Sequence, residues 1–204
     1  MTITSHRQTA NPVVVALLAA LLALLCVGCS NTRGPSTQEE SMDAQAELAA
    51  RPTLEEMIAR YDQMLQRIRD RLDAELGPFT WYEADPRTWG TCGRDFPSQL
   101  GGHTTGSPLW AFKGSIPDDQ WPHAQRIVAD ITAEYGFATA GLQIDTPATS
   151  GKPGHHLTHG FDTTFGAHYR FGSNVNTSIR VTSGCHRSTN PTPWAPSTST
   201  PPTS

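Results

Sequence analysis

The side chains with the most chemistry to offer are the sulfurs of Cys29, Cys92 and Cys185 and the imidazoles between His155 and His186. Cys29 stands directly after Gly28, at the end of an apolar run that begins at Pro12 (PVVVALLAALLALLCVG) and follows His6 and Arg7. A weakly positive start, an apolar stretch and a small residue at its end make a secretory signal peptide over residues 1–28. A cysteine immediately behind that small residue resembles the bacterial lipobox, in which the thiol takes a thioether-linked lipid and becomes the new N-terminus. The match departs in one place, because Cys26 stands where Leu is usual. Cys26 is itself a poor acceptor, since Leu25 and not a small residue precedes it. Two other readings of the run stay open. It approaches the ~18 residues that span a bilayer as an uncleaved anchor, and it also fits a signal peptide that leaves no lipid.

Cys92 and Cys185 follow a different logic. An exported domain with two remaining cysteines most simply pairs them, because the compartment tolerates disulfides. A redox or nucleophilic thiol is the rival reading, but no C-x-x-C supports it. The histidines invite a metal. Gly151, Pro153, Gly154 and Gly160 bracket His155, His156 and His159, so a helix that would stack His155 on His159 is not expected there. On a strand those two lie ~13 Å apart, too far for one small ion, and His156 points the other way. A cross-strand pair of His159 and His168 is the remaining candidate, set against ordinary half-exposed strand histidines. No metal or cofactor is expected.

The elements that must position these groups can be placed from hydrophobic period. Thr53 and Glu56 form a capping box ahead of Leu54, Met57, Ile58, Tyr61, Met64, Leu65, Ile68, Leu72 and Leu76, a helix that Gly77 and Pro78 end. Its outer face offers the i,i+4 pairs Glu56/Arg60, Arg69/Asp73 and Arg71/Glu75. Phe79 to Glu83 predicts a strand, residues 84–106 a long Gly/Pro/Thr-rich connection holding Cys92, and Pro108 to Gly114 a second strand. Ser115 to Gly136 predicts the second helix, with Pro117, Asp118 and Asp119 at its positive end and Pro122 in its first turn. From Phe137 the period becomes two. Phe137 to Ile144 is a strand, and His155 to Phe161 pairs with Phe165 to Phe171 around Asp162–Thr164. Val175 to Val181 closes a meander. The order α-β-β-α-β-β-β-β predicts an α+β fold, two helices on one face of an antiparallel sheet with one disulfide.

Around that domain, assigned to residues 53–186, residues 29–52 read as a polar tether with a nascent helix at 38–50. Residues 187–204 read as a disordered Ser/Thr/Pro tail, a substrate for O-glycosylation. The chain carries 15 Lys and Arg against 19 Asp and Glu, a net charge of −4. It has no basic stripe for nucleic acid and no polybasic patch for anionic lipid. Membrane residence would therefore rest on the acyl chains at Cys29. G-x-S-x-G, G-x-G-x-x-G, Walker A and H-E-x-x-H are all absent, and GHTTG at Gly102–Gly106 lacks the context of a nucleophile elbow.

The order of landmarks resembles the LppA-like lipoproteins of mycobacteria. The resemblance is carried by the lipobox Cys29, Phe79-Thr80-Trp81 after the first helix, and Cys92 in the long connection. Ala133-Glu134-Tyr135-Gly136 at the second helix end, Thr182-Ser183-Gly184-Cys185 and the Trp194 region complete it. It implies a surface lipoprotein and transfers no catalytic residue; the histidines at 155–159 lie outside it. The leading expectation is a non-enzymatic domain on the outer face of the cytoplasmic membrane that binds an envelope partner. Two alternatives stand beside it: a carrier of a small apolar ligand or lipid, held on the sheet beneath the helices, and an envelope hydrolase built around His103, His159 and His168.

Overall fold

Thr53 starts the longest element as expected. Its hydroxyl accepts from the Glu56 N–H and the Glu56 carboxylate accepts from the Thr53 N–H, so two orphan amides are satisfied at the start of a helix over Leu54–Leu76. The structure, a computed structural model, describes residues 38–93, 96, 100–138 and 143–190. The expected signal peptide, Cys29 and the chain beyond Asn190 lie outside these residues. The chain divides into two units, Met1–Ser41 and Met42–Ser204; apart from the beginning of the first helix, the elements below belong to the second.

In chain order these are α1 (Gln38–Ala50), α2 (Leu54–Leu76), β1 (Tyr82–Asp85), β2 (Thr88–Thr91), β3 (Gly102–Gly106), β4 (Leu109–Lys113), α3 (Trp121–Glu134), β5 (Gln143–Thr146), β6 (His155–Asp162), β7 (Ala167–Ser173), β8 (Asn176–Thr182) and β9 (His186–Arg187). The strands pair antiparallel in one nine-stranded sheet with the main order β1-β4-β8-β7-β6-β5, while β3 pairs with β2, β8 and β9. The α+β class holds: α2 and α3 share one core with the inward residues of the sheet. Met57, Leu65, Ile68 and Leu72 from α2 and Trp121, Ile127 and Ile131 from α3 meet Tyr169, Phe171, Ile179 and Val181 from β7 and β8. The alternation read from the sequence in those two strands is the alternation of burial.

Several boundaries differ from expectation, each for a local reason. Phe79 and Trp81 do not lie in a strand. They fold over Phe112, stacked at 4.0 Å and edge-on at 4.8 Å, while the Trp81 indole N–H donates to Asp73. The strand starts after them, at Tyr82. The long connection carries two short strands, β2 and β3, a hairpin whose glycines and threonines give no periodic signal. The second helix begins at Trp121, because Pro117 to Gln120 form a turn whose carbonyl at Pro117 accepts from Gln120 and Trp121. After α3, Ala138 makes a single bridge to Phe161, and pairing resumes only at Gln143. Of the three expected surface ion pairs only Arg71–Glu75 forms, at 2.7 Å. Arg69 lies 3.6 Å over the Trp110 ring and Arg60 5.0 Å over that of Tyr135.

The domain also extends past both expected ends. Leu48 on α1 is buried against Cys92 and Phe96, and Arg51 donates to the carbonyls of Phe165 and Cys185. The tether reading of 29–52 therefore fails for its last part. At the other end Ser188, Thr189 and Asn190 all donate to the Glu55 carboxylate, so the tail begins no earlier than Asn190. The Cys92–Cys185 disulfide forms as expected. Gly184 is required beside it: a Cβ there would stand 1.6 Å from the Phe165 carbonyl oxygen.

Candidate functional site

Every second residue of β6, β7 and β8 faces away from the helices. On that bare face the register sets His159 opposite Arg170 and Arg170 opposite Arg180, one basic row across three strands. The next row is uncharged and mostly small: Leu157 faces Gly172, Gly172 faces Ser178, and Ser178 faces Ala111 on β4. A large row beside a small one leaves a cleft, here with a volume of about 490 Å³. That falls within the range of small-molecule sites. His155, Asn176 and Thr182 complete its polar lining, and Leu109 adds apolar surface at the β4 end.

The electrostatics of the cleft are one-sided. Among the described residues that line it, none is a carboxylate. Arg180 is held in place by two neutral oxygens, Ser107 O at 2.9 Å and Pro86 O at 3.1 Å. Arg170 is exposed and makes no hydrogen bond or ion pair with any described residue. Burial, then the charge of Arg170, then His168 hold the His159 imidazole below the ordinary histidine value; burial does the same for His168. Both are therefore neutral near pH 7. His159 Nε2 is a buried atom with no hydrogen-bond partner among the described residues.

The expected His159/His168 pair is thus real as a juxtaposition. Arg170 is the direct partner of His159 and Phe161 that of His168, so the two histidines are diagonal neighbours bracketing Phe161. Among the described residues no three His, Cys, Asp or Glu side chains gather as a metal site. His103, placed with them in the hydrolase reading, lies on β3 opposite His186 and does not line the cleft. The carrier reading also needs correcting in its location, because Trp121, Tyr169 and Phe171 fill the space between sheet and helices.

What positions the cleft is a histidine whose role the sequence does not reveal. His156, 1% exposed, points to the helix side and stacks on Trp121 at 5.0 Å. Its Nδ1 lies 2.7 Å from Asp145 and its Nε2 2.9 Å from Asp118. The ring thus bridges two carboxyl groups, one through each nitrogen. Gly154 makes room, since a Cβ there would come within 2.4 Å of Asp118 and 2.5 Å of His156. The clamp ties the turn before α3, edge strand β5 and strand β6 together, and so fixes the strand that carries His155 and His159 into the cleft. Asp118, expected to serve the helix dipole, instead accepts from the Ala148 N–H and from His156.

That exchange has a pH signature. The Ala148 N–H bond first, and His156 second, hold the Asp118 carboxyl below its ordinary value. A carboxyl lowered in the folded state contributes stability above its unfolded pKa of ~3.9 and loses it as pH falls through the folded value. Asp118→Asn is therefore expected to lower the thermal midpoint by a few degrees near neutral pH. The gap to the parent should narrow steadily below about pH 4. Circular dichroism melts across that range check it, and a gap independent of pH would remove the clamp from the account.

A two-layer α+β domain, closed by one disulfide and bare on one face of its sheet, is the class these observations define. The chain belongs to the LppA family, described as a lipoprotein confined to pathogenic Mycobacterium, whose profile matches residues 29–189. The crystal structure of LppA from Mycobacterium tuberculosis is similar in fold, with a TM-score of 0.55 at 16% identity, covering 80% of this chain and 94% of that one. A DUF4853 family protein from Actinomyces odontolyticus aligns at 14% identity over 70% of this chain and 73% of its own, with a TM-score of 0.46. No curated protein matches the chain. Among the described residues no helix is long and apolar enough to cross a membrane.

Proposed function

We propose that the protein is exported under residues 1–28, acylated at Cys29 and held by those chains on the outer face of the cytoplasmic membrane. There its domain binds a small polar envelope ligand without transforming it. A single acyl chain holds weakly and several hold stably, which is why the lipobox reading matters to residence. The observation that supports binding is the cleft of about 490 Å³ on the sheet face that none of the described helices covers. Its polar groups are cations, amides and hydroxyls, the set that recognises a ligand.

Two experiments test the two halves. Cys29→Ala, or globomycin treatment, is expected to leave an unprocessed precursor on a denaturing gel; unchanged processing would end the lipoprotein assignment of Cys29. For the cleft, Ser178 sits in the small row between Gly172 and Ala111, so Ser178→Trp fills the space from its floor. Native mass spectrometry of the full-length product from its own membrane is expected to show a co-purifying small molecule on the parent and none on the folded variant. The same adduct on both would place the binding site elsewhere.

A further inference from the structure

The basic row is costly as it stands. Like charges directly opposite on neighbouring strands are destabilising, and Arg170 and Arg180 are such a pair. Elsewhere several arginines are paired with acids: Arg67 with Glu134, Arg71 with Glu75 and Arg87 with Asp62, each at 2.7 Å. The cleft arginines receive no such partner among the described residues. Arg180 is oriented by two backbone carbonyls that neutralise nothing, and Arg170 makes no hydrogen bond to any described residue. Beside them His159 Nε2 is buried without a hydrogen-bond partner among the described residues. Gly172, with no side chain, opens the space next to Arg170, and Ser178, Asn176 and Thr182 line it with neutral donors.

We propose that this cleft is an oxyanion site, in which Arg170, flanked in register by His159 and Arg180, receives a phosphate-type group of the ligand. The inference rests on the cleft being the binding site and adds the chemical class of what it takes. A guanidinium matches two oxygens of a tetrahedral anion in parallel. The donors on the neighbouring strands meet the oxygens that point elsewhere. A bound dianion would also turn the Arg170–Arg180 repulsion into a shared attraction. The phosphate reaches this site either as a soluble monoester or as a lipid headgroup at the surface where the protein is anchored.

The full chain in neutral detergent is titrated with sulfate, inorganic phosphate and glycerol 3-phosphate, with sodium chloride at matched ionic strength as the reference. Mixed micelles of phosphatidylglycerol, against phosphatidylcholine, form the headgroup arm. Sulfate and phosphate are expected to raise the thermal midpoint saturably beyond chloride. Arg170→Gln should weaken that binding about tenfold or more, and Arg170→Lys should keep part of it. Arg170 bonds to no described residue, so both variants are expected to retain the fold, which circular dichroism checks. Response to glycerol 3-phosphate alone identifies a soluble ligand, and response to phosphatidylglycerol a headgroup; either supports the site. A midpoint shift no larger than chloride's, or one that Arg170→Gln leaves intact, overturns the oxyanion assignment. If the native adduct still disappears in Ser178→Trp, the cleft reading survives that failure; if it does not, both fall.

Discussion

Replacing Cys92 and Cys185 together by serine is expected to cost about 4 kcal/mol of stability, one of two large effects for which the structure gives a direct reason. The bridge joins residues 93 apart in sequence. In the chain-entropy model a closed loop of that size constrains the unfolded chain by ~4–5 kcal/mol. It also centres a satellite core, in which Leu48 of α1 and Phe96 pack on the sulfurs. Gly102 admits it, because a Cβ there would lie 2.6 Å from Cys185 Sγ and 2.7 Å from Cys92 Sγ. Urea unfolding of parent and double variant, both without reductant, measures the difference. A loss under about 1 kcal/mol would mean that the unfolded chain is already compact around these segments.

Trp121→Ala is expected to cost ~3–5 kcal/mol, the usual range for deleting a fully buried large aromatic. Trp121 is 1% exposed and lies between two rings, Phe171 at 5.0 Å on the sheet and His156 at 5.0 Å on β6. Its loss leaves a cavity and also removes the surface on which the His156 clamp rests. The consequence therefore reaches the other face of β6, where His159 borders the cleft. Trp121→Phe restores a ring and should recover more than half of the loss. Thermal and urea midpoints of the two variants check this. Equal losses in both would show that the indole itself, and not ring stacking, is what the site requires.

Half of what makes the bare face of the sheet is legible in the residues themselves. In β7 the alternation of Ala167, Tyr169 and Phe171 assigns the inward side. It thereby assigns His168, Arg170 and Gly172 to the outward one, and β8 does the same for Ser178 and Arg180. What the alternation cannot contain is register. A strand's period tells which face a residue takes, not which residue of the neighbour it meets. The row His159–Arg170–Arg180 and the small row beside it are therefore invisible in the period. The hairpin β2–β3 escapes for another reason: Gly, Thr and Trp at 88–91 and Gly, His and Thr at 102–106 carry no apolar period. Its place in the sheet comes from β3 pairing with β8 and β9, far along the chain.

The local chemistry of the chain is its own to determine. The capping box at Thr53, the stripe of α2, the period-two strands and the pairing of the two late cysteines all follow from residue type at short spacing or from counting. The family likeness is carried the same way, by short landmarks in a fixed order. Tertiary structure decided everything that depends on partners distant in sequence. It buried Leu48 and so moved the domain boundary into α1. It took Asp118 from a helix end and gave it to His156, and it set two arginines face to face beside an open space. The physical reason is the same in each case: a helix or strand can be read from its own residues, whereas a contact between elements requires the path of the chain between them.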